Sequence, residues 1–215
     1  MMNTVILPFG CPRAGTSYLD KAVRNLKAVD VMAFREYHSF HPCKSDEGMI
    51  GLARLFRRHD LIFVRIKRHP MEIAESFVAT RLDSVRIGGF LPFNSNERVV
   101  KWIKDGIENF HLQMKVAEIN DKKRPFPWKV VQVRYEDLGT PKGRDDFVEA
   151  LDVAIRAGYC SIDSLRRFLD NTFGKKKHAV IAGRLRSGLG CVLSEEERVF
   201  FKSELQGVIE QDGYE

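Results

Sequence analysis

The stretch Gly10-Cys11-Pro12-Arg13-Ala14-Gly15-Thr16-Ser17 sets two glycines and two hydroxyls at the spacing of the nucleotide-binding loop G-x-x-x-x-G-K-[ST]. Thr16 stands where that pattern has lysine, and Arg13 is the loop's only cation. Backbone N–H groups at a helix start, helped by the helix dipole, favour a phosphate there. Thr16 and Ser17 can add hydroxyl hydrogen bonds. Without the lysine the loop is poorly built to hold ATP and magnesium, which points to a different phosphate-bearing donor. The bland alternative is a tight strand-to-helix turn capped by Thr or Ser.

A second group of chemistry-bearing residues lies in Val64-Arg65-Ile66-Lys67-Arg68-His69-Pro70-Met71-Glu72-Ile73-Ala74-Glu75-Ser76. A magnesium-dependent P-loop enzyme needs a carboxylate at the end of a core strand. Here the strand ends in Arg65, Lys67 and Arg68, which suits an anion and gives no sign of a metal site. Arg68 falls at the strand end and Ser76 two turns into the next helix. Taken alone, this would be a surface basic cluster followed by an ordinary helix serine.

Positioning these residues requires strands that alternate with helices. Val5 to Pro8 reads as a first strand, then the glycine loop, then a helix from Thr16 to Leu26. Val29 to Phe34 reads as a second strand and Leu52 to Arg57 as part of a short helix. Leu61 to Ile66 is an apolar, β-branched run expected to be a buried strand. Met71 to Thr80 is expected to be helical, with Pro70 at its first turn. Arg81 to Asn96 holds Gly88-Gly89 and Pro92 without hydrophobic period and is predicted to be a loop or lid. Glu97 to Asn120 predicts a long amphipathic helix, with Val100, Ile103, Ile107, Phe110 and Met114 at helical spacing. Trp128 to Val133 is a further strand. Helices over Asp145–Ala157, Ser161–Asn171 and Ser194–Ile209 complete the chain, the last with a capping box at Ser194-Glu195-Glu196-Glu197. Such alternation predicts an α/β fold with a parallel sheet covered on both faces.

The 215 residues suffice for one domain spanning 1–215. No apolar run approaches the roughly 20 residues of a membrane helix, and Thr4-Val5-Ile6-Leu7 is too short for a signal-peptide core. A soluble, cytoplasmic protein with no membrane span is therefore expected. Cys11, Cys43, Cys160 and Cys191 show no C-x-x-C spacing, so neither zinc nor redox chemistry is indicated, and free thiols fit a reducing compartment. The net charge of +6 suits an anionic ligand but does not separate a nucleotide from nucleic acid or acidic lipid.

The two phosphate-facing segments together resemble the sulfotransferases that use 3′-phosphoadenosine 5′-phosphosulfate (PAPS). That family's loop P-[KR]-x-G-T-[TS]-[WYL] corresponds to Pro12-Arg13-Ala14-Gly15-Thr16-Ser17-Tyr18. Its later signature R-x-P-x-x-x-x-x-S matches Arg68, Pro70 and Ser76. Val133-Arg134-Tyr135-Glu136-Asp137-Leu138 looks like the family's R-Y-E-D-L segment. Arg184-Leu185-Arg186-Ser187-Gly188-Leu189-Gly190 is similar to its R-x-G-x-x-G loop, with the second glycine one residue early; of the two arginines, Arg186 is favoured.

The resemblance implies a three-layer α/β/α, P-loop-like fold with a mostly parallel central sheet. It implies PAPS as donor and adenosine 3′,5′-bisphosphate (PAP) as product, with no metal. Arg13, Ala14, Gly15, Thr16, Ser17 and Tyr18 would hold the 5′-phosphosulfate. Arg68, Ser76, Tyr135, Arg186 and Gly188 would form the rest of the donor site. A base for the acceptor is expected between the two signatures. Glu36, His38 and His41 are the candidates, and Glu36 is favoured because Arg35-Glu36 follows the second strand as in family members with a glutamate base. The acceptor, a small molecule, carbohydrate or lipid, has no readable signature; Gly88 to Asn96 and the helix after it are where it would be chosen.

Other residues carry weaker readings. His59, His69, His111 and His178 have no comparable case. Trp102 and Trp128 are expected in the core, and Lys175-Lys176-Lys177-His178 in a solvated basic loop. Two rival functions remain open. A P-loop kinase of nucleosides or small molecules would need a magnesium carboxylate, for which Asp137 is the passable candidate. A non-catalytic anion or nucleic-acid binder rests on charge alone; the basic residues lack the aromatic interleaving of RNA modules, so nucleic acid is not expected.

Overall fold

The computed structural model describes residues 3–26, 31–33, 59–86, 93–123, 128–155, 162–173 and 192–214. Among these, four strands pair into one parallel sheet: β1 (Asn3–Phe9), β2 (Val31–Ala33), β3 (His59–Lys67) and β4 (Trp128–Arg134), in the order β2-β1-β3-β4. β1 and β3 run in register from Asn3 opposite His59 to Phe9 opposite Arg65, and β3 and β4 from Leu61 opposite Trp128 to Lys67 opposite Arg134. This pairing extends β1, β3 and β4 past their apolar runs, because the added residues lengthen the hydrogen-bonded ladder. Ile62, Phe63, Val64 and Ile66 are all buried, the continuous burial expected of a parallel strand covered on both faces.

The chain leaves β1 toward β2 on one side and returns to β3 on the other, so the strand order reverses between β1 and β3. A crevice at the carboxyl ends of a parallel sheet, at such a switch point, is where open α/β folds bind ligands.

Helix α1 (Thr16–Val23) follows the glycine loop. It ends short of the expected Leu26 because Asn25 and Leu26 donate three residues back, to Ala22 and Val23, tightening the last turn. Helix α2 (Pro70–Arg86) starts as expected at Pro70, with His69 Nδ1 accepting the Met71 N–H at 3.2 Å. It continues through Arg86, however, so the expected loop over Arg81–Asn96 is helical in its first part. Once nucleated, a helix gains one hydrogen bond for each residue it fixes, and the glycine pair that breaks the pattern comes only at Gly88-Gly89.

Helix α3 (Asn96–Lys123) buries Val99, Val100, Ile103 and Ile107 along one stripe. Helix α4 (Pro141–Ile155) starts four residues before the expected Asp145. Thr140 caps it, its Oγ1 accepting the Gly143 N–H at 3.0 Å, and Pro141 occupies the first helical position where its missing N–H costs nothing. Helices α5 (Ile162–Thr172) and α6 (Glu195–Gln211) follow, and α6 has the expected capping box between Ser194 and Glu197.

α1 packs against β1 and α5, and α4 against β4 and α5; α2, α3 and α6 pack on one another. Phe77, Leu19, Ile103, Leu151, Leu165, Phe201 and Leu205 fill these contacts almost without exposure. Each contributes about 1.5–3 kcal/mol by leaving water. Trp102, expected in the core, is 40% exposed and lies edge-on to Phe77 and Phe93 at the rim. Phe110, Met114 and Trp128 belong to described elements, but their side chains lie outside the described residues, as does the expected helix over 52–57. Among the described residues no helix is long and apolar enough to cross a membrane. The result is a helix-rich, mixed α/β fold built on a parallel sheet.

Candidate functional site

The loop after β1 is held against β3 by its glycines. A Cβ on Gly10 would lie 2.5 Å from the Ile66 carbonyl oxygen. Gly15 adopts φ +105°, and a Cβ there would lie 2.8 Å from Tyr135 Cδ2. Arg13 is also left-handed, at φ +70°, the one such non-glycine among the described residues. Left-handed residues alternating with ordinary ones are the backbone pattern of anion-binding nests. Gly15 is the N-cap of α1 and offers no side-chain cap, so no cap side chain competes for the N–H groups of the first turn. Thr16 is buried, its methyl facing Gly10, whereas Ser17 is exposed.

Arg13 reaches across to α2 and donates to Thr80 Oγ1, which in turn donates to the Ser76 carbonyl at 2.9 Å. Burial lowers the Arg13 pKa, yet a guanidinium stays charged in a protein. Ser76 is buried at 2% exposure. In this arrangement it meets the loop through its carbonyl and Thr80.

Arg68 closes the site from β3. Its Nη1 donates to the Arg13 carbonyl at 3.2 Å, its Nε to Glu72 at 2.9 Å, and its guanidinium lies 4.7 Å over the Tyr135 ring. The Tyr135 N–H donates to the Lys67 carbonyl at 2.7 Å. Three segments far apart in sequence, around Arg13, Arg68 and Tyr135, thus meet at the carboxyl ends of β1, β3 and β4.

Tyr18 faces α5. Its ring packs on Phe168 and Phe173 and its hydroxyl meets Thr172 Oγ1 at 3.2 Å, joining α1 to α5. Burial raises its phenol pKa. Tyr135 leans on the same Phe173 at 5.2 Å, so this aromatic group props the ring on which Arg68 lies. Glu36, His38, His41, Arg184, Arg186, Gly188 and the basic run 175–178 lie outside the described residues.

The basic end of β3 differs from its expected character. Arg65 is 4% exposed and pairs with Asp212, itself 3% exposed, at 2.5 Å. Lys67 Nζ lies 3.8 Å and His111 Nε2 3.4 Å from the same carboxylate. Arg65 is therefore a neutralised core residue, whereas Arg68 is bonded to the loop's backbone at Arg13. Cys11, at the base of the loop, borders this pair. Burial, and secondarily Asp212, push its thiol up to about 12, so it is no nucleophile near neutral pH.

Sequence reasoning missed Asp212 because 147 positions separate it from Arg65. It also missed Glu136, which accepts the His69 N–H at 2.8 Å and the Tyr214 hydroxyl at 3.2 Å. Asp137, the kinase reading's carboxylate, opens a 3-10 turn (Asp137–Gly139) and is exposed. With Thr140, Lys142 and Asp146 it lines a cavity of about 340 Å³ that no loop residue borders.

Comparison of the chain with protein-family models, with curated proteins and with solved structures returned no match.

Proposed function

We propose that this protein is a sulfotransferase that moves a sulfuryl group from PAPS to a hydroxyl or amine acceptor. One observation carries the reading: Arg68 is bonded to the carbonyl of Arg13 and laid over Tyr135, beside a left-handed glycine loop at a switch point of the sheet. Three of the segments that resemble the family in sequence, around Arg13, Arg68 and Tyr135, are thereby neighbours in space. The two groups of helices, α1 with α4 and α5 and α2 with α3 and α6, would be the outer layers of a three-layer, P-loop-like fold.

In the proposed reaction the acceptor oxygen attacks sulfur in line with the bridging oxygen of the 5′-phosphosulfate. The new S–O bond forms as the old one breaks, the bisphosphate leaves with the bridging electron pair, and the acceptor proton passes to a base. Glu36 is the first candidate base, ahead of His38 and His41. An ionised glutamate can accept that proton at neutral pH. The nest and the start of α1 would hold the 5′-phosphate, with Ser17 adding its exposed hydroxyl. Arg13 would stabilise charge on the leaving oxygen but, as a guanidinium, could not protonate it. It would exchange its Thr80 contact for the phosphate. Arg68 would take the 3′-phosphate by charge-assisted hydrogen bonds.

Arg68→Ala tests the carrying observation. It should weaken calorimetric binding of PAP about ten- to hundredfold, the worth of a charged hydrogen bond or two, and change 5′-AMP binding little. Equal loss for both nucleotides would refute the 3′-phosphate role. A thermal-shift comparison of PAP, ATP with magnesium, and AMP separates donor classes, because stabilisation follows occupancy. If ATP with magnesium ranks first, the kinase reading replaces this one.

A further inference from the structure

We infer that Glu136 is a positioning residue for the anion site, anchored from behind by residues 212–214. The inference rests on the reading of Arg68 as a phosphate ligand and adds how Arg68 is kept in place.

Two consecutive residues leaving β4 act on Arg68, one on its side chain and one on its backbone. Tyr135 supports the guanidinium, 4.7 Å from its ring. Glu136 holds the main chain: its Oε1 accepts the His69 N–H at 2.8 Å, and that N–H belongs to the peptide joining Arg68 to His69. The same His69 starts α2, its carbonyl accepting from Glu72 and Ile73 and its Nδ1 from Met71. One carboxylate thus fixes the backbone that both orients Arg68 and begins the helix carrying Ser76 and Thr80.

Glu136 is itself braced. Its Oε2 accepts the Tyr214 hydroxyl at 3.2 Å, and the Tyr214 ring meets the His69 ring at 5.0 Å. Burial, and next the Glu136 carboxylate, hold the Tyr214 phenol above its usual range, so it remains the donor. Arg134 lies 4.9 Å over the Tyr214 ring and donates to the Gly213 carbonyl at 2.9 Å. Asp212 sits buried against Arg65 and near Lys67. The segment after α6 is thereby tied to the carboxyl ends of both β3 and β4. A bare packing role would not require both carboxylate oxygens to be spent on these two donors, one of them in the Arg68–His69 peptide.

The test compares Glu136→Ala, Glu136→Gln and Tyr214→Phe with the unaltered chain. The readouts are PAP and 5′-AMP affinity by calorimetry and exchange protection of the His69 amide. Glu136→Ala should lose PAP affinity about tenfold, the cost of one charge-assisted hydrogen bond, with 5′-AMP nearly unchanged and His69 protection lost. Glu136→Gln should recover most of both effects, since an amide oxygen can accept from His69 while its N–H₂ donates to the Tyr214 oxygen. Tyr214→Phe should give a smaller loss of the same kind. Unchanged His69 protection in Glu136→Ala, or equal loss for both nucleotides, overturns the inference. If the unaltered chain fails to bind PAP, the proposed function falls. The exchange arm then decides alone: selective loss of His69 protection at retained global stability supports positioning, and its absence refutes it.

Discussion

Arg65 and Arg68 stand three residues apart at the end of one strand, and the fold treats them oppositely. Arg65 points into the face shared with α3 and α6 and is cancelled there by Asp212. Arg68 points to the loop side, where its partners are a carbonyl, an aromatic face and Glu72, whose side chain is 44% exposed. Arg65 lies within the strand, where Asp212 meets it, whereas Arg68 comes just past the strand's last residue, Lys67, and turns to the loop. A basic run at a strand end therefore measures available charge poorly. One of these arginines belongs to the structure's interior electrostatics and the other faces the candidate anion site.

The sharpest way to break this contrast is to remove each partner. Asp212→Ala leaves Arg65 buried without its counter-charge and should cost about 3–5 kcal/mol of unfolding free energy, read by denaturant titration. The double change Arg65→Met with Asp212→Leu should cost far less, because no buried charge is left unpaired. Arg68→Ala, by contrast, breaks a pair with a half-exposed partner and should cost under about 1 kcal/mol while carrying the loss of PAP affinity described above. If Arg68→Ala destabilises as much as Asp212→Ala, the two arginines are not different in kind.

An intermediate effect is expected at the loop. Gly15→Ala forces a side chain into the left-handed region and against the Tyr135 ring, for about 1–3 kcal/mol of strain. A thermal melt that matches the unaltered chain would mean that the loop does not lean on Tyr135.

The smallest effect concerns pH. Burial, and next Arg65, hold His111 below its ordinary value of 6.5. The unfolded chain thus binds the proton more readily. The His111 contribution should be intact above pH 6.5 and be lost as pH falls through the lower folded value. The difference in stability between the unaltered chain and His111→Gln, measured across that window, should shrink as pH falls. A difference independent of pH would show that His111 does not sense the Arg65–Asp212 pair.

Much of the architecture could be read directly. Four parallel strands, the start of α2 at Pro70 and the capping box of α6 follow from apolar runs and local capping chemistry, which act over a few residues. The early start of α4 was missed, although Thr140-Pro141 carries the cap and first-turn signal for it. The extension of α2 to Arg86 was not legible, because Arg81-Leu82-Asp83-Ser84-Val85-Arg86 has weak hydrophobic period and the helix persists by propagation. Of the site, the glycine loop and Arg68 were visible as motifs. Tyr18 was visible as a motif position, but the direction of its ring was not: in the fold Thr172 and Phe168 hold it.

By itself the sequence determined the alternation of strand and helix, the glycine loop and the residue types able to meet an anion, since these depend on neighbours along the chain. Only the tertiary structure decided which cations remain for that anion. Asp212 reaches Arg65, and Tyr214 reaches Glu136, across long separations in the chain. Such pairs form because burial makes an unpartnered charge or hydroxyl costly, and which groups are buried together is a property of the fold and not of any local pattern.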